Sequence, residues 1–346
     1  MGKGSTEAEA EPGAPSARGG DRPRLAITAG DPSGIGPEIV LKALNDERSQ
    51  KGRLVVLGDE GNLRRTSREL RIRWPFAAVV RELPATWERP ILLDLADGVD
   101  ALVPGQISKP AGLAAAHAIE TAARLALAGA VDGVVTAPIH KEALSLAGVE
   151  DPGHTEMLQR LTGAPRVGML FWTEDFAVAL LTTHVSLTEA IRRIRPSRLF
   201  EQLAFVEREW RRWLGRAPRI AVCGLNPHAS EGGRFGHEEQ LHIEPAIAKA
   251  QARGLLVTGP IAPDAVFSLA KEGRFDLVFA LYHDQATIPV KFAYGRKAVN
   301  VTLGLPFVRT SVDHGTAFDI AGKGIADPES VVQSVCLAAR MVLNRA

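Results

Sequence analysis

The 346-residue sequence holds only two cysteines, Cys223 and Cys336. Two lone cysteines, each inside an apolar segment, do not make a disulfide framework. They read as buried, reduced thiols, and the setting expected from them is cytoplasmic. An excess of one charge is also missing, because the formal net charge is +1. No strong global field draws the chain to nucleic acid or to an anionic membrane, so neither is expected as a partner. No apolar run approaches the roughly 18–20 residues of a membrane helix. Several catalytic signatures are absent too. There is no GxSxG elbow, no HExxH pair, no Cys–His nucleophile motif and no kinase DFG set, which argues against hydrolases and kinases. There is neither a GxGxxG dinucleotide fingerprint nor a P-loop.

What is present is an ordinary globular composition, 45% hydrophobic and 23% charged. The length suggests two domains. Met1 to Arg22 is rich in Gly, Ala, Glu, Pro and Ser and has no apolar core. It is no secretory signal and reads as a disordered tail. From Arg24 onward, apolar runs of strand length alternate with helical patterns. RLAIT (24–28), RLVVLG (53–58), residues 91–95, DGVVT (132–136), RIAVCG (219–224), 276–280 and 298–303 read as strands. Residues 38–44, 60–70, 111–129, 187–213, 237–252 and 328–344 read as helices, and 167–172 with 176–181 as a hairpin. This alternation predicts a mostly parallel α/β sheet, with ligands beyond the carboxyl ends of its strands. The first strand runs into GDPSGIGPE (30–38). Such a glycine-rich turn can cradle an anion on backbone N–H groups, or simply tighten strand–helix packing.

Three histidines share one context. His184, His228 and His283 each follow an apolar strand, in VALLTTH, AVCGLNPH and FALYH. Three neighbouring strands that each end in a histidine can bring three imidazoles to one point, the layout of a catalytic divalent-metal site. The spacings are no metal signature, and a hydrogen-bonded structural histidine is the commoner fate of such a residue. The stretch from Tyr282 to Gly324 is dense in polar groups set among apolar residues that read as strand and turn. Lys291, Arg296 and Arg309 supply positive charge for a phosphate or carboxylate; the competing reading is a solvated surface run. Asp284 and Asp313 are candidates to orient histidine rings. His154 and Thr155 can donate to an anionic substrate, while Glu156 can equally cap the helix that follows.

Taken together, GDPSGIGPE (30–38), TAPIHKEAL (136–144), GHTEM (153–157), TTH (182–184), CGLNPHASEGG (223–233), YHDQ (282–285) and NVTLGLPFVRTSVDHGTAFDIAGKG (300–324) closely resemble the 4-hydroxythreonine-4-phosphate dehydrogenase family of pyridoxal phosphate biosynthesis. The resemblance spans roughly Arg24 to Ala346, with the motifs in the expected order. It implies a two-domain α/β/α fold like that of isocitrate and isopropylmalate dehydrogenases, which fits the missing GxGxxG. On that scheme residues 23–150 plus 303–346 form one unit and 151–302 the other, which carries the metal ligands and the dimer interface. The resemblance implies a homodimer with its site at the subunit interface, a divalent metal (zinc, cobalt or magnesium) on His184, His228 and His283, and NAD or NADP. Substrate contacts would fall to His154, Thr155, Lys291, Asn300 and Arg309. The implied reaction oxidises 4-phosphooxy-L-threonine at C3, with decarboxylation to 3-amino-2-oxopropyl phosphate. D-Threonate or D-erythronate 4-phosphate is the alternative substrate within the same group. A phosphate acyltransferase on a similar scaffold is a more distant alternative.

Overall fold

The structure, a computed structural model, describes residues 22–345. The tail expected over 1–22 therefore lies outside the described residues, Arg22 excepted. Among the described residues the strands are β1 (Arg24–Thr28), β2 (Arg53–Gly58), β3 (Ala78–Val80), β4 (Ile91–Asp94), β5 (Gly133–Thr136), β6 (Gly168–Trp172), β7 (Ala177–Leu180), β8 (Ile220–Cys223), β9 (Val257–Ile261), β10 (Leu277–Ala280), β11 (Val299–Leu303) and β12 (Val308–Ser311). The α-helices are α1 (Gly36–Leu44), α2 (Glu60–Glu69), α3 (Lys109–Leu127), α4 (Lys141–Leu146), α5 (His154–Thr162), α6 (Leu187–Arg192), α7 (Pro196–Leu214), α8 (Glu244–Ala252), α9 (Pro263–Lys271), α10 (His283–Tyr294) and α11 (Glu329–Leu343).

All the strands join one sheet in the order β3-β4-β2-β1-β5-β12-β11-β6-β7-β10-β8-β9. The pairings are parallel except for β12–β11, β11–β6 and β6–β7. The α/β class and the hairpin expected over 167–181 agree with this arrangement. Interior strands such as LVVL in β2 and LVFA in β10 are apolar at every position. A parallel strand buried on both faces requires this.

Alternate residues of the strands feed different cores. Leu25 and Ile27 of β1, Ala177 and Ala179 of β7, and Val299, Val301 and Leu303 of β11 share one core, which also contains residues of α1, α7, α8 and α11. This layer runs across the whole sheet. The other face has two separate cores. One joins Ala26, Val55 and Val134 to α3 and α5. The other joins Val178, Leu180 and Val278 to Val266 of α9 and to Ala286 and Val290 of α10. Between those two cores β11 and β12 carry no helix packed in the same way.

The structure corrects one reading and adds elements. Tyr282 to Tyr294 is not strand and turn, because residues 283–294 form α10. Thr287, Ile288 and Pro289 weaken the helical pattern. Burial of Ala286, Val290 and Tyr294, four residues apart, overrides it. Four elements had no clear signal: β3, β9, α9 and β12. The sequence of β9, VTGPI, looks like a turn, and its Pro260 is tolerated because β9 is an edge strand.

Candidate functional site

Period-two alternation places the polar groups. On β11, Asn300 and Thr302 alternate with core residues Val299, Val301 and Leu303. On β12, Arg309 and Ser311 alternate with Val308, which is in the core, and Thr310, whose hydroxyl donates to the Ser334 carbonyl of α11. Asn300, Arg309 and Ser311 thus face the gap in the helix layer, where they line a cavity of about 1150 Å³. Such a volume accommodates a small substrate together with part of a larger cofactor.

Arg309 is 2% exposed. It donates to the hydroxyls of Thr302 at 2.8 Å and Thr136 at 2.6 Å. Its Nε has no partner among the described residues, and no carboxylate there pairs with it. Burial pushes its pKa down, and the charge of Glu156 opposes that shift. The guanidinium stays charged at neutral pH. A buried cation without an acidic partner is costly, and a bound anion would relieve it. Burial and the Arg309 charge hold the His154 pKa well below its ordinary value. His154 is therefore neutral at pH 7.

His154 and Thr155 open α5, whose N-cap, Gly153, offers no side-chain acceptor. Elsewhere Asp59 and Ser108 cap α2 and α3 through their side chains. The first residues of α5 lie in the lining of the cavity, and a helix N-terminus suits an anion. Lys291, half-exposed on α10, also lines the cavity and sits 3.4 Å from Asp313. Burial raises the Asp313 pKa, opposed first by Lys291 and then by His314 and His283. Asp313 thus pairs with a lysine and not with the histidine ring expected for it.

β7, β10 and β8, the strands that precede the three histidines, are neighbours and parallel. Buried side chains tie their carboxyl ends together. Thr182 donates to the Leu281 carbonyl at 2.9 Å. Gln285 accepts from the Leu281 N–H at 2.7 Å and donates to the Gly224 carbonyl at 2.8 Å. His184 and His283 come together, with ring centroids 5.6 Å apart, and both line the cavity. Burial, then Lys141 and His283, lower the His184 pKa, so its ring is a neutral donor. His283 also lies 2.8 Å from Asp284, which holds one ring nitrogen. His228 stands apart on the turn after β8, outside the cavity lining. Among the described residues no group of three His, Cys, Asp or Glu side chains gathers as a metal site.

Sequence reasoning missed several contributors. Arg193 and Arg198 add positive charge to the lining, beside Lys141. Lys141 was visible as a strand-end cation. Nothing in the pattern marks the two arginines, which sit in a charge-rich helical run. Thr182 and Gln285 lay inside quoted motifs, but their bonds to backbone needed coordinates. Arg296 turns away to Asp327 at 3.1 Å and lies outside this cavity.

A sequence model of the family described as pyridoxal phosphate biosynthetic protein PdxA matches residues 50–338. The chain is 48% identical over 321 residues to a 4-hydroxythreonine-4-phosphate dehydrogenase of Beijerinckia indica subsp. indica, covering 92% of this chain and 94% of that protein. It is 42% identical over 328 residues to a D-threonate 4-phosphate dehydrogenase of Cupriavidus necator, covering 94% and 98%. The solved 4-hydroxythreonine-4-phosphate dehydrogenase of Klebsiella pneumoniae superposes with a TM-score of 0.83 at 42% identity, covering 92% of this chain and 99% of that one. With its motifs, its fold and these likenesses in agreement, the chain belongs to the PdxA family of pyridoxal phosphate biosynthetic proteins.

Proposed function

We propose that this protein is a homodimeric, divalent-metal-dependent dehydrogenase that oxidises 4-phosphooxy-L-threonine at C3 with NAD+ or NADP+. Loss of CO2 then gives 3-amino-2-oxopropyl phosphate. The observation that carries the reading is Arg309, a buried cation without an acidic partner among the described residues, facing the same cavity as His184 and His283. Arg309, Lys291 and Asn300 hold the anionic ends of the substrate, and His154 and Thr155 approach from α5. These contacts fix the C3 hydroxyl beside the histidine end and keep water from its place. A nicotinamide cofactor, when bound, would supply the hydride acceptor for C3.

The donor set fits a metal. His184 is neutral, His283 is beside it, and imidazole suits zinc or cobalt better than magnesium. His184, His283 and His228 would hold the ion, with the triad completed between two copies of the chain. When bound, it supplies Lewis-acid polarisation of the substrate oxygen. Support for the second copy comes from α10. Ile288 and Phe292, one turn apart, are 67% and 92% exposed on the helix that carries His283 and Lys291. Exposed apolar pairs of this size mark association surfaces.

The two units, 23–150 plus 303–346 and 151–302, would meet where β12 pairs with β11, and the cavity would then lie at their junction. α5 falls in the second range, yet packs Met157 and Leu158 with residues of the first. No helix of the described residues is long and apolar enough to cross a membrane. Both cysteines are free, Cys223 buried as expected and Cys336 only partly so, and free thiols support a cytoplasmic setting.

D-Threonate 4-phosphate is the second reading, because a 42%-identical relative bears that name. The test is cofactor reduction with zinc or cobalt present, comparing 4-phosphooxy-L-threonine with D-threonate 4-phosphate. A kcat/KM at least 10-fold higher for the amino substrate is expected. The reverse ratio would transfer the assignment, and no reduction with either substrate would overturn it.

A further inference from the structure

The turn that carries His228 adopts a conformation that its own residues resist. His228, Ala229, Ser230 and Glu231 have φ of 52°, 51°, 71° and 46°, followed by Gly232 and Gly233 at 70° and 97°. Glycine accepts this region freely, but four consecutive non-glycine residues each bear a steric cost. Runs of this kind persist only where the surroundings impose them, and they cluster at functional sites.

The surroundings here centre on Glu239, which has no exposed surface. Its Oε1 accepts from the backbone N–H of Leu225 at 2.7 Å and of Asn226 at 2.8 Å. Its Oε2 accepts from the Asn226 side-chain amide at 2.8 Å. That amide also donates to Glu238 at 2.8 Å. All three bonds to Glu239 fall on the two residues just before Pro227 and His228. Further along, the Ser230 hydroxyl accepts from the Gly233 N–H at 2.9 Å and bonds the Gly236 carbonyl. Ala229 folds back onto Gly224, where an added Cβ would lie 2.9 Å from the Ala229 Cα. Glu239 also opens a π-helical turn, Glu239–Ile243, ahead of α8. Such widened turns are uncommon and recur at functional sites. Among the described residues no cation pairs with Glu239, so its carboxyl oxygens rest on N–H donors alone.

We propose that Glu239 is a positioning residue: its three hydrogen bonds fix the entry to the left-handed turn and thereby present His228 to the metal. The proposal rests on the reading that His228 is a metal ligand. A buried carboxylate satisfied only by N–H groups is costly to install. The chemistry-bearing side chain that follows its bonds in the chain is His228. Partners behind a ligand typically change metal affinity by about 10- to 100-fold when altered.

Glu239→Gln keeps the shape and replaces one acceptor by a donor. The new N–H must face either the two backbone N–H groups or the Asn226 amide. Asn226 cannot turn to compensate, because its second proton is held by Glu238. The measurement is zinc affinity of the full-length protein, by competition with a chromogenic chelator, together with thermal midpoint without metal and cofactor-linked kcat and KM. Zinc binding about 10- to 100-fold weaker is expected for Glu239→Gln. Excess zinc should restore its turnover, and KM for the phosphorylated substrate should stay unchanged. Loss of packing alone would not be rescued by zinc. His228→Ala is the control for the underlying reading. If His228→Ala loses zinc while Glu239→Gln binds it like the parent, the role of Glu239 is overturned and His228 stands as ligand. If His228→Ala retains parental affinity, His228 is no ligand and the proposal falls with it. Should Glu239→Gln not fold, Asn226→Ala, which deletes one of the three bonds to Glu239 together with the bond to Glu238 and adds no donor, is expected to weaken zinc by a smaller factor. Parental affinity there would overturn the proposal.

Discussion

The two faces of the central sheet differ in how they are covered. One is sealed from end to end by a single apolar layer that contains residues of α1, α7, α8 and α11. The other carries two separate cores, and the cavity lies between them over β11 and β12. Neighbouring residues on β11 therefore have opposite duties. Val301 and Leu303 hold the fold, whereas Asn300 faces the cavity. The site occupies the part of this face, between the two cores, where no helix of the described residues is packed on the sheet. Its cost is a buried cation with no acidic partner among the described residues.

Substitutions on β11 and β12 can break or sharpen this contrast. The largest effect expected on stability is from Leu303→Ala on the sealed face. Removing a buried leucine costs about 3 kcal/mol, read as a lower thermal midpoint, with KM for the phosphorylated substrate little changed. If KM changed as much as stability, the division between faces would fail. Next is Arg309→Met on the open face. Charge-assisted hydrogen bonds are each worth about 1.5–3 kcal/mol, so KM should rise about 10- to 100-fold. The ligand-free fold should be as stable as the parent or more so, because an unpaired buried charge is removed. A large fall in thermal midpoint would mean that Arg309 is a structural strut.

Asp276 gives a smaller effect, away from the cavity. Burial pushes its carboxyl up, but bonds from Arg219 and Arg216 outweigh that and hold it well below the usual range. A folded-state pKa below the unfolded one means that the unfolded chain binds more protons at mildly acidic pH. The stabilisation is then complete above the unfolded pKa near 4 and is lost as pH falls through the folded value. Asp276→Asn should cost about 1 kcal/mol at pH 7, since both arginines are half-exposed. Denaturant titrations should show the gap between parent and variant closing below about pH 4. A gap independent of pH would remove the electrostatic account. The smallest effect on the fold should come from Phe292→Ser. At 92% exposure the side chain contributes little within one chain. Sedimentation should show weaker self-association with an unchanged monomer fold; an unaltered dimer would put the interface elsewhere.

Much of this was legible in the sequence. The apolar runs of β1, β2, β5, β8 and β10 bury on both faces, and a strand buried twice has no other way to be written. Asn300 and Arg309 were recognisable by motif, and the alternation V-N-V-T-L around Asn300 is a visible period of two. α10 was misread because Thr287, Ile288 and Pro289 argue locally against a helix, and only packing of Ala286, Val290 and Tyr294 decides for it. β12 was missed because half of its residues face a cavity, so no apolar run announces it.

By itself, the sequence determined the α/β class, the strand ends that bear His184, His228 and His283, and the cationic and polar residue types that line the cavity. These follow from local periodicity and side-chain chemistry, which a linear reading contains. Tertiary structure alone decided that β7, β10 and β8 lie side by side, that His184 meets His283 while His228 stands on its own left-handed turn, and that Arg309 is buried without an acidic partner among the described residues. Each of these depends on pairings between residues tens to hundreds of positions apart. Which strand neighbours which is set by burying the whole sheet at once, and no local pattern encodes that sum.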